Sequence, residues 1–320
     1  MTIYIIFIIG FIFLIKGADW LVEGSSALAR RFGIPSIIIG LTVVAFSTSL
    51  PEMVVNVFSA LEGNTDIALG NVIGSNLANI LLILGLTSAI MPLNVKKATA
   101  WKEIPFSLVA ILVLFVMSND KSIDNMKWSV LTASDGILLL FFFGFFLYYV
   151  IKMALGNREK TADENGKPQV PPWKIVLFLA GGITGLYFGG KWVVNSAVTI
   201  ARTFGLSDYL ISATIIAFGT SSPELITSIV AAVKKEPDLS VGNVVGSNIF
   251  NVLLVLGVTS IIKPIPVNPG INYDLIFNML VNLYLFLFLF IGEKYQLKRW
   301  QGFFMVALYV MYILYVILRG

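Results

Sequence analysis

The 320-residue chain is 57% hydrophobic and only 12% charged, with a mean hydropathy of +0.88. Soluble domains carry about a quarter charged residues, so this composition excludes a soluble enzyme, a nucleic-acid-binding protein and a disordered chain. The sequence therefore predicts an all-α polytopic membrane protein. Because the chain contains no Cys and no His, any binding site must be built from oxygen ligands.

Ten apolar runs are candidates to cross a membrane, which takes roughly 20 residues. In chain order they are Ile3–Ala27, Pro35–Ala60, Ile67–Ile90, Ile104–Met117, Gly136–Met153, Ile175–Ala197, Ser207–Val233, Leu239–Ile262, Leu275–Ile291 and Gly302–Leu318. The first run is interpreted as a retained span, because Asp19 and Glu23 stand where the cleavage region of a signal peptide is small and neutral.

A polar stretch, residues 156–172, separates two predicted five-helix halves, residues 1–155 and 173–320. We interpret it as a plain linker, with a regulatory loop as the alternative. The connections after odd-numbered spans hold 15 Lys and Arg residues, and those on the opposite side hold five. This bias predicts a cell-membrane protein, plasma or inner, with the linker in the cytoplasm and both termini outside.

An internal repeat relates the two halves at an offset of 172 residues. Residues 45–52 (AFSTSLPE) align with 217–224 (AFGTSSPE), and residues 70–76 (GNVIGSN) align with 242–248 (GNVVGSN). Because each half has an odd number of predicted spans, the two copies enter the membrane in opposite directions. Inverted repeats of this kind are typical of secondary transporters, with binding sites near the bilayer midplane.

The first repeated segment places Glu52 and Glu224 inside predicted spans, where a carboxylate costs about 2.5–3.5 kcal/mol or more. A structural ion pair would need Lys16 or Lys191, the basic residues that lie well inside predicted spans. The prolines before the glutamates, Pro51 and Pro223, predict broken helices with loosened carbonyls. Hydroxyls and carbonyls on the same turns complete a hard-cation ligand set: Thr48, Ser49, Thr220 and Ser221, with the carbonyls near Ser47 and Gly219 and those of Ala45 and Ala217.

The second repeated segment adds Ser75 and Asn79 on one helix face, and Ser247 and Asn251 on another. Its glycines, Gly70, Gly74, Gly242 and Gly246, favour helix packing over a ligand role. The other asparagines, Asn71, Asn76, Asn243 and Asn248, are interpreted as hydrogen-bonding the broken helix ends, with a ligand role as the alternative. Two glutamates give the site a charge of −2, which one calcium ion, two sodium ions or two protons would neutralise. Three sodium ions would leave the site with a net charge of +1.

These paired segments resemble the two alpha-repeats of the calcium/cation antiporter superfamily, most closely its prokaryotic sodium/calcium exchanger branch. The resemblance covers essentially the whole chain. It implies ten helices in two inverted repeats and alternating access by sliding of the first and sixth helices. It also implies the metal ligands: Ala45, Thr48, Ser49, Glu52, Ser75, Asn79, Ala217, Thr220, Ser221, Glu224, Ser247 and Asn251.

Three departures bear on the transported ions. Ser47 stands where the motif usually has glycine. Asn251 stands where potassium-dependent members carry Asp, which argues against potassium co-transport. Gly74 and Gly246 occupy the place of a glutamate in the proton-coupled branch, which favours sodium over protons.

The sequence thus predicts an electrogenic sodium/calcium antiporter that binds both ions as substrates. Its other predicted partners are membrane lipids, and no cofactor, nucleic acid or obligate protein partner is expected. A proton/calcium antiporter is the alternative, because carboxyl groups also bind protons. A cation channel does not need inverted repeats, and a membrane enzyme would need a nucleophile or metal motif that the sequence lacks. Lys16, Asp19 and Glu23 in the first span form either an interfacial charge cluster or a gate.

Overall fold

A computed structural model of the protein describes residues 2–62, 66–123, 127–156, 170–204, 217–268 and 270–319. The described chain is an all-helical membrane protein. It contains eight helices long and apolar enough to cross a membrane, and a ninth span if one bent helix pair is counted together. The predicted seventh span is described only from Ala217 onwards, and most of the predicted linker lies outside the described residues.

We number the helices α1 to α13 in chain order. They are α1 (Thr2–Phe32), α2 (Ser36–Thr48), α3 (Leu50–Glu62), α4 (Asp66–Leu77, continuing as Ala78–Leu84 and Gly85–Ile90), α5 (Lys97–Trp101 and Glu103–Met117), α6 (Asp120–Ile123), α7 (Ala133–Gly156), α8 (Pro172–Thr203), α9 (Ala217–Thr220), α10 (Ser222–Val233), α11 (Pro237–Ile249, continuing as Phe250–Val255 and Leu256–Ile262), α12 (Ile271–Phe288) and α13 (Arg299–Arg319).

The two Ser-x-Pro-Glu segments break their helices, as the prolines predict. The chain bends by 44° between α2 and α3, with Ser49 at the break. Ser221 occupies the corresponding break between α9 and α10. Because a proline is well tolerated only in the first turn of a helix, each break starts a new helix just ahead of its glutamate.

Helices α4 and α11 lie at the centre of the bundle and are the most deeply buried of the long helices. Both contain a π-helical stretch, Ala78–Leu84 in α4 and Phe250–Val255 in α11. These wider turns include Asn79 and Asn251, in keeping with the frequent occurrence of π-bulges at functional sites. The peripheral helices instead expose large apolar side chains such as Ile8, Phe141 and Leu314, which suits contact with lipid.

Two short antiparallel ribbons join connections from different halves of the chain. Strand β1 (Leu93–Asn94) pairs with β4 (Gln296–Leu297), and β2 (Val130–Leu131) pairs with β3 (Ile265–Pro266). Paired strands must lie on the same side of a membrane. The predicted topology meets this condition, because it places β1 and β4 on the cytoplasmic side and β2 and β3 on the opposite side.

Helices α1 and α8 pack against each other along much of their length. Glycines allow the approach: a Cβ atom added at Gly17 would lie 2.7 Å from the backbone nitrogen of Leu186 and 2.9 Å from the carbonyl oxygen of Gly182. Small residues let the backbones of membrane helices come this close. The two helices therefore form one tightly packed pair beside the central bundle.

The packing of the glycines in the second repeated segment is described for one copy. Gly242 and Gly246 lie against α2, where added Cβ atoms would meet the carbonyl oxygen of Ile37 and the Cβ atom of Ala45. The packing interpretation is confirmed for this copy. For Gly70 and Gly74 it stays a prediction, because residues 208–216, which align with 36–44 of α2, lie outside the described residues.

We expect Gly17→Ala to destabilise the protein, because the added methyl group meets backbone atoms of α8 that cannot move aside. Overpacking of this kind costs about 1–3 kcal/mol, measurable as a lower thermal unfolding temperature in detergent. Gly144→Ala in α7 is the matched control, because no described atom lies within 4 Å of its added Cβ. Equal unfolding temperatures for the two variants would contradict the close approach of α1 and α8.

Candidate cation site

Two carboxylates lie at the centre of the bundle, each in the first turn of the helix that follows a break. Glu52 in α3 is fully buried, and Glu224 in α10 is 1% exposed. The backbone N–H groups at a helix N-terminus favour negative charge. Each break therefore places a partial positive charge beside the carboxylate that has been removed from water.

The two breaks exchange hydroxyl contacts. The Ser49 hydroxyl donates to Oε1 of Glu224 at 3.3 Å, and the Ser221 hydroxyl donates to Oε1 of Glu52 at 3.4 Å. Ser75 of α4 also donates to Oε1 of Glu52, at 3.4 Å. Each glutamate is thus held by the serine of the other repeat, which brings the two predicted ligand segments into one site.

Four buried oxygens at this site have no hydrogen-bond partner among the described residues: Oε2 of Glu52, Oε2 of Glu224, Oδ1 of Asn79 and Oδ1 of Asn251. A buried polar atom without a partner is costly and calls for an explanation. All four are acceptors, and they occur as two pairs related by the repeat. Carboxylate and amide oxygens in a dry site are ligands for a hard cation, so the residues present fit a bound cation substrate.

The nitrogen ends of the ligand amides are held by two further asparagines. Asn79 Nδ2 donates to Asn248 Oδ1 at 2.9 Å, and Asn251 Nδ2 donates to Asn76 Oδ1 at 3.1 Å. Asn76 and Asn248 in turn donate to each other's backbone carbonyls, at 3.2 and 3.3 Å. Both lie in the repeated Gly-Ser-Asn sequence, which predicted contacts with the broken helix ends or a ligand role and not this pairing between α4 and α11.

A fourth hydroxyl, that of Thr48, joins α2 to α11. It lies 2.9 Å from Asn243 Oδ1 and 3.4 Å from the hydroxyl of Ser247. Asn243 Nδ2 donates to the carbonyl of Glu224 at 3.3 Å and to the Ser228 hydroxyl at 3.0 Å. The prediction that Asn243 hydrogen-bonds a broken helix end is confirmed, because Glu224 is in the first turn after the break.

Some of the carbonyls predicted to be loosened already accept hydrogen bonds. The Ala45 carbonyl accepts from the Ser49 N–H at 3.0 Å. The Gly219 carbonyl accepts from the Ser222 hydroxyl at 2.7 Å. The broken turns thus satisfy these carbonyls with local donors. A carbonyl oxygen keeps a second lone pair, so Ala45 stays a predicted ligand, as do Ala217 and the buried Thr220.

The basic residues within spans lie away from the carboxylates. Lys16 and Lys191 are both exposed on the outside of the bundle. Asp19 and Glu23 instead pair with Lys234, at 2.6 and 3.7 Å. The ion-pair interpretation of the buried glutamates therefore has no support. Among the described residues there is also no group of three or more His, Cys, Asp or Glu side chains that could hold a metal ion by themselves.

A buried site of oxygen atoms alone, at the centre of a helical membrane protein, defines a cation transport protein. The chain belongs to the sodium/calcium exchanger family: the family described as "Sodium/calcium exchanger protein" matches residues 2–152 and 174–318. The class is that of cation antiporters, not enzymes.

Solved and curated relatives cover nearly the same length. The structure of the sodium-calcium exchanger NCX_Mj, soaked with 2.5 mM Na+ and 0.1 mM Ca2+, is 32% identical, covers 98% of both chains and superposes with a TM-score of 0.83. The sodium/calcium exchanger MaX1 of Methanosarcina acetivorans is 28% identical over 97% of both chains. The inner membrane protein YrbG of Escherichia coli is 36% identical over 82% of this chain and 80% of its own.

We expect Glu52→Gln to abolish the rise in unfolding temperature that calcium causes in the unmodified protein. A ligand at 100 times its dissociation constant stabilises the folded state by about 2.7 kcal/mol. Without calcium the variant should be at least as stable as the unmodified protein, because an unpaired buried charge is removed.

Glu103→Gln is the matched control for this variant. Glu103 of α5 is a buried glutamate, 1% exposed, that accepts a hydrogen bond from Tyr149 outside the site. It should keep the calcium-dependent rise. A calcium response that survives Glu52→Gln would show that the ion binds elsewhere.

Proposed function

We propose that the protein exchanges sodium for calcium across the cell membrane by alternating access. The observation that carries the proposal is the set of four unpaired buried oxygens, two carboxylate and two amide. Calcium takes six to eight oxygen ligands, and the site offers further hydroxyls and carbonyls on the same turns. The relatives named as sodium/calcium exchangers support the identity of the ions.

The proposed ligands are the twelve residues on the repeated segments. The glutamates supply the charge, and the amides of Asn79 and Asn251 supply neutral oxygens. The hydroxyls and carbonyls complete the sodium and calcium positions: Ala45, Thr48, Ser49, Ser75, Ala217, Thr220, Ser221 and Ser247. Each of the serines at 49, 75 and 221 already contacts a glutamate, so a cation between the carboxylates lies within reach of them.

We propose a ratio of three sodium ions to one calcium ion, which makes the exchange electrogenic. One calcium ion neutralises the two glutamates, whereas three sodium ions leave a net charge of +1. Exchange of three sodium ions for one calcium ion therefore moves one charge, worth about 2.3 kcal/mol per 100 mV. In a cell with a negative interior, sodium entry then drives calcium outward.

We further propose ten spans in two inverted halves, residues 1–155 and 173–320, joined by the linker 156–172. The two ribbons support this arrangement, because each joins connections that the ten-span topology places on one side. The hydrogen bonds of the site also recur at the repeat offset of 172 residues. The Lys and Arg bias supports a cytoplasmic linker and outer termini, and the name of YrbG supports the inner membrane.

Calcium uptake into proteoliposomes loaded with sodium tests the proposed exchange. We expect uptake that requires the outward sodium gradient and that choline-loaded vesicles lack. Glu52→Gln and Glu224→Gln should each abolish it, because either change removes half of the charge that binds calcium, whereas Glu103→Gln should transport normally. The initial rate of radioactive calcium uptake is the measurement.

The same vesicles separate the alternatives. Uptake driven by a pH gradient as strongly as by sodium would assign the protein to proton exchange. An interior-positive potential should speed uptake, because three sodium ions carry one more charge out than calcium carries in. Absence of uptake under every gradient, from folded protein, would mean that calcium is not the substrate.

A further inference from the structure

We propose that Asn76 and Asn248 are positioning residues for cation binding, which determine that Asn79 and Asn251 present oxygen rather than nitrogen to the ions. This inference rests on the proposed function. Both asparagines are buried, at 0% and 1% exposure, and neither has a role in the proposed ligand set.

The backbone fixes the orientation of the two positioning amides. A backbone carbonyl can only accept a hydrogen bond. Asn76 Nδ2 lies 3.2 Å from the carbonyl of Asn248, and Asn248 Nδ2 lies 3.3 Å from the carbonyl of Asn76. The amide nitrogen of each residue must therefore face the opposite helix backbone, and its Oδ1 must point the other way.

The orientation of the ligand amides follows from this. Asn248 Oδ1 meets the side chain of Asn79 at 2.9 Å, and Asn76 Oδ1 meets that of Asn251 at 3.1 Å. Because both positioning atoms are acceptors, both ligand amides must turn their nitrogens towards them. Their own oxygens are left buried and unpaired, and a reversed amide would set two acceptors against each other.

An amide is equally able to donate or accept, so a free asparagine is a poor cation ligand until something fixes its orientation. Residues that orient metal ligands typically contribute roughly 10- to 100-fold to metal affinity. The same contacts favour a neutral amide at positions 79 and 251, because an ionised Asp would offer no donor to the positioning oxygens. The reciprocal contacts of Asn76 and Asn248 across α4 and α11, the asparagine clamp, therefore also keep the charge of the site at −2.

The test is calcium affinity in the intact protein, measured by calcium titration of the unfolding temperature and by the KM of calcium uptake. Asn76→Ala and Asn248→Ala should weaken calcium binding roughly tenfold or more, with a smaller effect on the maximal rate. Asn71→Ala is the matched control. Asn71 lies on the same helix and donates to Asn56 Oδ1 at 2.9 Å, so its loss should change affinity by less than about twofold.

A double variant distinguishes positioning from a general structural role. If Asn76 acts through Asn251, then adding Asn76→Ala to Asn251→Ala should weaken calcium binding no further. Losses of calcium affinity that add up in the double variant would overturn the proposal. Unchanged calcium affinity in folded Asn76→Ala would also overturn it, and Asn76→Ser takes its place if Asn76→Ala does not fold. Failure of the unmodified protein to bind calcium would instead refute the proposed function.

A second inference concerns the charges that connect α1 to α10, and different contacts carry it. Lys234, at the end of α10, lies 2.6 Å from Asp19 Oδ1 and also donates to the Asp19 carbonyl at 3.0 Å. The repeat offset relates Asp19 to Lys191 on α8, and Lys234 to Glu62 at the end of α3. The repeat therefore relates the Asp19–Lys234 pair to a second pair between the halves, Lys191 with Glu62, in which the charges are reversed.

Only one of these two pairs is closed. Helix α1 packs along α10, whereas α8 makes few contacts with α3. Lys191 and Glu62 are both exposed, and no ion pair between these two described residues occurs. Because α1 and α8 pack tightly through glycines, a shift that closes one pair should open the other.

We infer that the two charge pairs are alternating latches, Asp19–Lys234 on the predicted cytoplasmic side and Glu62–Lys191 on the opposite side. Each would stabilise one of the two access states of the exchanger. Half-exposed ion pairs are weak and are screened by salt, which suits contacts that must break in every transport cycle.

The absence of cysteine allows a direct test of the latches. We expect a short bifunctional thiol reagent to crosslink each of two double variants, Asp19→Cys/Lys234→Cys and Glu62→Cys/Lys191→Cys. Such a reagent is chosen because it spans a longer distance than a disulfide, which requires Cα atoms within about 7 Å of each other. In the quadruple variant, each molecule should acquire one crosslink and not both. Glu62→Cys/Lys234→Cys, two positions that the predicted topology places on opposite sides of the membrane, controls for random collisions.

Two outcomes would overturn the latch proposal. One is failure of the Glu62/Lys191 cysteines to crosslink above that control at any sodium or calcium concentration. The other is formation of both crosslinks in one molecule. Transport that returns after cleavage of the reagent would establish that the crosslinked protein is folded.

Discussion

The structure depends on the burial of two carboxylates, Glu52 and Glu224, in the middle of a membrane protein, where no basic side chain of the described part of the chain lies beside them. An uncompensated charge there costs several kcal/mol. The protein offsets this cost with helix N-termini created by the two proline breaks and with hydroxyl donors, and in the proposed function a bound cation would offset the rest. Each break and each donor fixes a local feature of the fold.

The compensating contacts are exchanged between the halves. Ser49 donates to Glu224 while Ser221 donates to Glu52, and the asparagine clamp across α4 and α11 is equally reciprocal. Neither half can therefore complete a site alone. A two-fold arrangement of this kind gives the centre the same chemistry from either direction, which is what a site that opens alternately to both sides of a membrane requires.

The helices around the site differ in what they contribute to it. Helices α4 and α11 hold the buried amides and α3 and α10 hold the carboxylates, whereas α1 and α8 form a glycine-packed pair that contributes few polar groups to the site. The polar residues of α1 pair instead with Lys234 at the edge of the bundle. A pair of helices that is tightly packed internally and weakly tied to the centre can shift while the ligand geometry is preserved.

Hydropathy determined the membrane class, the proline–glutamate segments determined the breaks, and the repeat indicated which oxygen-bearing residues are the candidate ligands. These are local or periodic properties, so the sequence alone was sufficient to predict them. Only the tertiary structure decided which oxygens are free: the Ala45 and Gly219 carbonyls accept local hydrogen bonds, whereas Oδ1 of Asn79 and of Asn251 does not. The partner of a side-chain donor depends on how helices distant in sequence approach each other. For the same reason, the tertiary structure alone revealed the Asn76–Asn248 clamp and the pairing of Asp19 with Lys234.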